Sequence, residues 1–438
     1  MRSVTRREFM NVSVAGAATV SSLAATARRV SARRVSANDQ VVAAVIGLRG
    51  MGRVHVSRLV EVPDAVCATL CDVDQSMLER EAKKVHDATG QSPKLVKDFR
   101  HVLDDPSIDA VVIATPHHWH VPMAVPALRA GKDVYLEKPG SHVFREGRVL
   151  VDTVEETGRI VQHGTQMRSS RVTAKARELL DAGVIGEVKM SKAWNKQRHN
   201  HRKAVPDAPV PPGVDYDMWL GPAPKRPFNP NRFHGNWNWY RDYGNGDIGG
   251  DGIHDLDMAH FGLAPETHPV RITAHGSRVH LEGVEREFPD NMMVAYHFAE
   301  GKVLIYEDRA WTPYGSFGVD SGNAFYGTEG FMVFSRRGFF QVYLGRKEEK
   351  GPSMGVGDAV RDRGKGTHLS NFLDCVRTRQ QPLAPALQVH RSCALVHLGE
   401  VAYRTGKVLE FDPETETITN HPEANRLLTK EYRGPWSV

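Results

Sequence analysis

The chain has 438 residues, with 57 Lys and Arg, 52 Asp and Glu, and a formal net charge of +5. Residues 1–34 hold seven Arg and one Glu, which leaves 50 basic and 51 acidic side chains in the rest. A body so close to neutral argues against a nucleic-acid-binding protein. The 40% hydrophobic share is typical of a globular protein, and the length predicts two domains. Four cysteines are too few for a disulfide scaffold.

The N-terminus has the pattern of an export signal. Residues 5–10 (TRREFM) match the twin-arginine pattern, residues 12–27 are uncharged, and residues 25–27 (ATA) resemble a cleavage site. The uncharged stretch is shorter than the roughly 20 residues of a membrane span, so we expect no stable membrane anchor. The expected partner is the twin-arginine export machinery, and the expected location is periplasmic or secreted. A disordered tail or a weak anchor is the alternative.

The repeat RRVSA-RRVSA (28–37) completes a leader and linker of residues 1–40. A nucleotide-binding pattern follows it. Residues 41–46 (VVAAVI) predict a buried strand, residues 47–55 (GLRGMGRVH) a glycine turn entering a helix, and residues 65–71 a second strand that ends at Asp72. The helix N-terminus favours a pyrophosphate, and the glycines permit its close approach.

The predicted cofactor contacts in this turn are Gly47, Arg49, Gly50, Met51 and Gly52. Asp72 lies 20 residues after Gly52, a spacing that suits a ribose diol and favours NAD over NADP. Arg49 occupies the position of the middle glycine in the usual pattern. Its guanidinium could bind the 2′-phosphate of NADP, so NADP is the alternative cofactor. A glycine-rich turn of some other α/β domain is the competing interpretation.

Strands and helices continue to alternate up to residue 166, which predicts a doubly wound parallel sheet over residues 41–166. The predicted strands cover 108–116, 133–139 and 159–166, and the helices cover 121–131 and 145–158. Ligands gather at the carboxyl ends of such strands. The candidate residues there are Thr115, Pro116, His120, Glu137, Lys138, Gln166 and Arg168.

The run His117-His118-Trp119-His120 resembles a metal-binding cluster. No carboxylate or cysteine joins it at ligand spacing, so we expect no metal. Lys138 follows a buried strand, where burial would lower the pKa of its amine and suit it to acid–base work. A plain surface turn is the alternative for residues 137–139.

After Arg168 the alternation ends, and residues 167–438 are predicted to form a second domain. Residues 205–239 are irregular and contain eight prolines, which is typical of a functional loop or lid. Several alternating stretches between residues 270 and 344 predict an antiparallel sheet, and two helices are expected at 367–378 and 388–405.

The chain resembles the Gfo/Idh/MocA oxidoreductase family. The residues that carry the resemblance are IGLRGMGRVH (46–55), ATPHHWH (114–120), EKP (137–139) and GIHDLD (252–257). The resemblance implies a Rossmann domain, a second α/β domain with a large open, mainly antiparallel sheet, and a homo-oligomer formed through that sheet. It also implies NAD(P)-linked chemistry on sugars or polyols. The twin-arginine leader resembles the exported glucose–fructose oxidoreductase branch.

By position, the resemblance makes Lys138 the active-site lysine, Glu137 the ribose-side acid, His120 the histidine near the nicotinamide and His254 the catalytic histidine. The family has an acid four residues before that histidine, where this chain has Gly250. Asp247, Asp251 and Asp257 flank His254, and Asp251 and Asp257 lie three residues on either side of it, on one helical face. Which aspartate orients His254 stays open.

The predicted reaction is hydride transfer from a carbohydrate C–H, with His254 taking the hydroxyl proton and Lys138 holding the oxygen. Arg168, Trp237, Trp239 and Arg241 are candidate sugar contacts, with core packing as the alternative for the tryptophans. NAD is scarce outside the cytoplasm, so an exported enzyme should hold it tightly and recycle it in place. Oxidoreduction between two sugars and redox-neutral glycoside cleavage both satisfy this. A non-catalytic sugar or NAD sensor is the remaining alternative.

Overall fold

The structure of the protein is a computed structural model that describes residues 40–197, 202–280, 282–356, 362–364 and 366–438. The twin-arginine leader and almost all of the linker lie outside the described residues. The elements up to residue 163 are β1 (Val41–Ile46), α1 (Met51–Leu59), β2 (Ala65–Cys71), α2 (Gln75–Thr89), β3 (Lys94–Val96), α3 (Arg100–Leu103), β4 (Ala110–Ile113), α4 (His120–Arg129), β5 (Asp133–Leu136), α5 (Phe144–Thr157) and β6 (Val161–His163).

These six strands form a parallel sheet in the order β3-β2-β1-β4-β5-β6. The predicted doubly wound sheet is therefore confirmed. The central strands β1, β4 and β5 are short, mainly apolar runs that are almost entirely buried, because helices cover both faces of such a sheet. Helix α2 was missing from the sequence prediction. Asp74 caps it by accepting a hydrogen bond from the amide of Ser76.

The elements after residue 163 are α6 (Arg171–Asp181), β7 (Val188–Asn195), α7 (Tyr216–Leu220), α8 (Gly246–Gly250), α9 (Gly252–Leu263), β8 (Arg271–Ser277), β9 (Asn291–His297), β10 (Val303–Arg309), β11 (Ser321–Gly327), β12 (Gly330–Ser335), β13 (Phe339–Leu344), β14 (Glu349–Met354), α10 (Thr367–Thr378), α11 (Ala386–Thr405), β15 (Leu409–Asp412) and β16 (Thr417–Ile418). The strands form a sheet in the order β14-β13-β12-β11-β7-β10-β9-β8-β15-β16. Strands β7 and β10 pair in parallel and the other neighbours are antiparallel, so the large, mainly antiparallel sheet is also confirmed.

One continuous hydrophobic core joins the two sheets. It contains Ile113 and Phe144 from the parallel-sheet part, Val389 from α11, and Tyr296 and Leu304 from the second sheet. Helix α11 packs against α5 on one side and against β8 on the other. Because the two parts share this core, the described residues form one compact unit.

The last residues of the chain return to the parallel-sheet part, although they fall in the predicted second domain. Trp436 packs edge-on against Trp119, with ring centroids 4.7 Å apart, and against Phe99. Lys430 is partly buried and pairs with the buried Glu146 at 2.6 Å. The C-terminal tail therefore fastens the turn after β4 and the start of α5.

All four cysteines, Cys67, Cys71, Cys375 and Cys393, are buried and unbridged. No helix within the described ranges has the length and apolar character that crossing a membrane requires.

Candidate active site

A cavity of about 320 Å³ opens at the carboxyl ends of β1, β2, β4 and β5. Strand β1 has β2 on one side and β4 on the other, so the crevice lies where the strand order reverses, which is the ligand position of open α/β sheets. The residues lining it include Gly47, Arg49, Gly50, Met51, Asp72, Thr115, Pro116, His117, Glu137, Lys138, Met218, Trp219, His234 and Trp237. Most of the predicted cofactor residues are among them.

The glycine turn makes room for a ligand by bringing backbone close to backbone. Gly47 has φ 85°, and a Cβ there would lie 2.7 Å from the carbonyl oxygen of Ala114. Gly52 does not line the cavity, but a Cβ on it would lie 1.7 Å from the carbonyl oxygen of Gly47. Glycine at both positions therefore lets α1 start directly behind β1. The N-terminus of α1 reaches the cavity at Met51, where the helix dipole favours an anion.

Asp72 lies at the end of β2 and supports the glycine turn. Its carboxylate accepts hydrogen bonds from the amide of Leu48 at 2.7 Å and from the amide of Asp74 at 2.9 Å. Burial dominates over these bonds and raises the pKa of Asp72 to about 6. Each carboxylate oxygen keeps a further lone pair, so the group can still accept from a ligand hydroxyl.

Glu137 ends β5 in a buried position and stays ionised. His55 donates to its carboxylate from Nε2 at 2.8 Å, and Gln166 donates at 3.3 Å from behind the cavity wall. Burial alone would raise the pKa of Glu137, but the His55 hydrogen bond and the positive charges of His55 and Lys138 lower it to about 2. Gln166 therefore acts on Glu137 and does not line the cavity.

Lys138 connects the parallel sheet to the second part of the chain. Its Nζ donates to the carbonyl oxygen of Gly250 at 2.5 Å. Gly250 is the last residue of α8, and α9 begins two residues later. His254 lies in the first turn of α9 and is not among the residues that line the cavity. Burial and the positive charges of Lys138 and Arg336 hold the pKa of His254 well below its usual range, against the smaller effect of Asp251. His254 is therefore a neutral imidazole beside Lys138.

The aspartates around His254 have separate partners. Asp251 is half-buried, accepts from Gln197 at 3.0 Å and is the carboxylate that contributes most to the field at His254. Asp257 forms a buried ion pair with Arg168 at 2.8 Å and accepts from Ser392 at 2.6 Å. Asp247 accepts from Asn195 at 3.0 Å. Of the two predicted catalytic aspartates, Asp257 is paired with Arg168, and Asp251 is the one whose charge acts on His254.

Arg168 and two other predicted sugar contacts are engaged elsewhere. The Arg168–Asp257 ion pair leaves only 7% of the arginine side chain exposed. Trp239 is a core residue covered by the guanidinium of Arg286 at 3.6 Å. Arg241 pairs with Glu400 and lines a separate, smaller cavity. Trp237 alone of the four predicted sugar contacts lines the main cavity.

The histidine run after β4 points in several directions. Both ring nitrogens of His120 lie within hydrogen-bond distance of backbone carbonyls, those of Pro139 at 2.6 Å and Thr115 at 2.9 Å. His120 therefore braces the turn and does not line the cavity. His117, three residues earlier, does line it. The two lie in the same four-residue run, and periodicity cannot distinguish them, because residues 117–119 form a single turn of 3-10 helix.

Sequence reasoning missed the residues that cover the cavity. The irregular stretch supplies Met218, Trp219 and His234 to the lining. His234 donates from Nε2 to the Asp74 carboxylate at 2.7 Å. The high proline and aromatic content of residues 205–239 indicated a functional loop, but nothing in the sequence paired His234 with Asp74.

A group of three metal-ligating side chains lies elsewhere in the described part of the chain. His268, His390 and Glu416 place their ligand atoms within 4.8 Å of one another. Arg148 donates to Glu416 at 2.6 Å, and His390 does so at 2.9 Å. The Arg148 guanidinium already neutralises this carboxylate and would repel a metal cation. We therefore interpret the cluster as a structural ion pair that connects α5, α11 and the C-terminal strands.

Sequence profiles of two adjoining domains match the chain. The profile described as "Oxidoreductase family, NAD-binding Rossmann fold" matches residues 41–165, and "Oxidoreductase family, C-terminal alpha/beta domain" matches residues 174–316 and 361–438. The chain belongs to the Gfo/Idh/MocA oxidoreductase family. The site described above therefore lies in its NAD-binding crevice.

Two curated relatives and one solved structure are similar to this family member. The scyllo-inositol 2-dehydrogenase (NAD(+)) of Bacillus subtilis (strain 168) is 25% identical over 378 residues, which cover 85% of this chain and 97% of the relative. A glycosyl hydrolase family 109 protein of Saccharopolyspora erythraea is 31% identical over 159 residues, which cover 35% and 34%. The structure of levoglucosan dehydrogenase with NADH and levoglucosan has a TM-score of 0.66 at 19% identity, covers 85% and 99% of the two chains, and shows the shared fold.

We expect the affinity of the NAD-free protein for NAD to fall as the pH drops below 6. Asp72 has a pKa of about 6, so its carboxylate becomes protonated in this range and loses its strength as a hydrogen-bond acceptor for the ribose diol. The affinity should fall by up to about tenfold per pH unit, the limit for one linked proton. Isothermal titration calorimetry between pH 5 and 8 measures it.

The control is Asp72→Asn, which should bind NAD weakly at pH 8 and show no slope between pH 5 and 7. The pKa of Asp74 is lowered by its Ser76 and His234 hydrogen bonds, which outweigh burial, and that of Glu137 is about 2, so neither titrates in this window. Equal NAD affinity of the wild-type protein at pH 5 and 7 would contradict the assignment.

Proposed function

We propose that the protein transfers hydride between NAD and a hydroxyl-bearing carbon of a sugar, polyol or glycoside, with a tightly bound cofactor that is recycled in place. The proposal rests mainly on the 2.5 Å hydrogen bond from Lys138 to the carbonyl of Gly250. This bond brings Lys138, at the end of the NAD crevice, next to the helix that carries His254. A hydride donor carbon needs a nearby base and a cation at its oxygen, and these two side chains supply them.

The crevice fits NAD. The glycine turn leaves space that a Cβ at Gly47 or Gly52 would fill, α1 directs its N-terminus at the cavity, and Asp72 offers carboxylate oxygens to a ribose. When bound, the nicotinamide supplies the hydride acceptor. The ionised Asp72 would repel a 2′-phosphate, which favours NAD over NADP.

His254 and Lys138 divide the proton chemistry. A neutral imidazole can accept the hydroxyl proton as the hydride leaves, and the low pKa of His254 keeps it neutral across ordinary pH. Lys138 is anchored by Gly250 and can donate to the substrate oxygen, holding it near His254. Asp251 then stabilises the imidazolium that forms.

Tight cofactor binding is supported by the stretch that covers the crevice, here called the cover segment (residues 211–237). Val214 forms a backbone bridge with Asp74, and the carbonyl of Gly213 accepts from Lys97 at 3.1 Å. The indole of Trp119 donates to carbonyls at the end of α7 at 3.1 Å. We expect a cofactor beneath this segment to dissociate slowly, because its release would require several of these contacts to break.

Export in the folded state agrees with such a cofactor. The proposed twin-arginine route would carry the enzyme to the periplasm or outside the cell after NAD has been loaded in the cytoplasm. We also propose a homo-oligomer through the open sheet, whose outer face carries the half-exposed Met293 and a stack of Tyr326, Phe331 and Tyr343. An apolar face of this kind is typical of a subunit contact.

Redox-neutral glycoside cleavage is the second candidate function, and the similarity to a glycosyl hydrolase family 109 protein favours it. In that scheme oxidation acidifies the neighbouring C–H, the glycosidic bond is eliminated, water adds and the hydride returns. Incubation with p-nitrophenyl glycosides and no added NAD distinguishes the two. The proposed oxidoreductase should release no p-nitrophenol, and it should need a second carbonyl substrate for repeated turnover. Catalytic release of p-nitrophenol would favour the glycosidase.

Replacing Lys138 by Met should lower kcat about 10²–10⁴-fold, because the substrate oxygen loses its anchor and the proton transfer its geometry. The measurement is single-turnover reduction of the bound nicotinamide on adding scyllo-inositol, levoglucosan or a panel of sugars. Lys175→Met, at an exposed lysine of α6, is the matched control and should behave as wild type. Unchanged reduction in the Lys138 variant would refute the assigned role.

Replacing His234 by Ala should speed the loss of NAD about tenfold, since the variant lacks one hydrogen bond to a carboxylate that fastens the cover segment. Stopped-flow fluorescence of bound NADH, chased with excess NAD, measures the rate. His86→Ala, at an exposed histidine of α2, should leave the rate unchanged. If both variants release NADH at the wild-type rate, the cover segment does not retain the cofactor.

A further inference from the structure

His117 occupies a position in the cavity that the proposed reaction does not yet use. The chain turns sharply after β4, so the three histidines of the run separate. His118 donates to the carbonyl of Trp219 at 3.1 Å, His120 contacts two backbone carbonyls, and His117 faces the cavity together with Lys138. The ring of Trp237 packs edge-on against His117, with centroids 4.7 Å apart.

Asn245 determines which nitrogen of His117 carries the proton. Its amide nitrogen donates to the carbonyl of His142 at 2.9 Å and to the carboxylate of Glu400, and both of these groups accept only. The amide oxygen must then face His117, whose Nδ1 lies 3.0 Å away. Nδ1 therefore carries the hydrogen, and Nε2 is the bare acceptor.

The surroundings keep His117 in this state. Burial, and then the charges of His120 and Lys138, hold its pKa well below the usual range. Within the described ranges, none of the hydrogen bonds uses Nε2 of His117. The cavity thus contains a fixed acceptor that cannot donate, close to a lysine that can only donate.

We propose that His117 is a specificity-determining residue that accepts a hydrogen bond from the substrate hydroxyl adjacent to the reacting carbon. The inference rests on the proposed function, because Lys138 is taken to hold the reacting oxygen. Lys138 and His117 then read two neighbouring oxygens, while Trp237 packs on the C–H face between them. A vicinal diol satisfies both side chains. A carbonyl, ether or deoxy carbon at the second position leaves Nε2 unpaired.

The first test compares His117→Phe with His117→Gln, whose amide oxygen can reach the place of Nε2. The substrates are scyllo-inositol, levoglucosan and glucose, each paired with its monodeoxy analogues. We expect His117→Phe to lower kcat/KM about 10- to 100-fold on a full substrate, mainly through KM, and to lose nothing further on the analogue that lacks the contacted hydroxyl. His117→Gln should recover part of the loss. Equal losses on every analogue would overturn the proposal.

The second test is Asn245→Asp. A carboxylate at this position stabilises the imidazolium of His117 and raises its pKa, so that Nε2 carries a proton below the new pKa. In this variant kcat/KM should fall as the pH drops through that value and recover above it. The wild-type protein should not show this fall of kcat/KM at low pH. The variant should not show it either when the substrate is the analogue that lacks the contacted hydroxyl. A pH profile identical to wild type would overturn the proposal.

A third readout separates this inference from the proposed reaction. In ¹⁵N-histidine-labelled holoenzyme, His117 should give a bare-nitrogen resonance that is absent from His117→Gln and that shifts when the same sugars are added. If the bound nicotinamide is not reduced but the resonance shifts, the proposed reaction fails and the role of His117 stands. If reduction occurs and the resonance does not move with any sugar, the role of His117 fails alone.

Discussion

The candidate active site is held together by one contact between the two parts of the fold, the hydrogen bond from Lys138 to the carbonyl of Gly250. Lys138 lies two residues after β5 of the parallel sheet, and Gly250 is the last residue of α8, just before the helix that carries His254. The family pattern has a carboxylate at position 250, whereas this chain uses a backbone carbonyl there. A carbonyl anchors the lysine without adding a charge, so the field at His254 is left to Lys138, Arg336 and Asp251. The shared core around α11 keeps both partners of this contact in register.

Burial has opposite effects on the charge of the acids of the cavity and on the charge of the histidines near Lys138. Glu137 keeps its charge because His55 donates to it and Lys138 lies beside it, whereas Asp72 is held mainly by backbone amides and has a raised pKa. His117 and His254 lie close to Lys138 and lose their charge. The crevice therefore combines an ionised carboxylate at Glu137 with a neutral imidazole at His117, and a second neutral imidazole, His254, lies beside Lys138.

The features that could be predicted are those that local sequence determines. The strand, glycine turn, helix and Asp72 follow one another within 32 residues, and Lys138 follows directly from the end of a buried strand. Side-chain direction could not be predicted in the same way. Arg168 is long enough to reach Asp257, 89 residues away, and nothing near it in sequence shows that it does. Trp237 and Trp239 are two residues apart, yet one lines the cavity and the other is buried under Arg286. His117 likewise contacts Asn245, 128 residues away, and nothing near it in sequence shows that it does.

The buried cysteines bear on where such a protein can work. The thiolate is the form that reacts with oxidants and disulfides, and burial raises the thiol pKa of Cys67 and Cys393 to about 12 and that of Cys71 well above its ordinary value. Burial and the charge of Asp374 also raise the thiol pKa of Cys375. The folded protein therefore exposes almost no reactive thiol to oxidants. It also has no disulfide that a reducing agent could break. The fold therefore contains no covalent cross-link between cysteines, and its cysteine chemistry is the same in a reducing and in an oxidising solution.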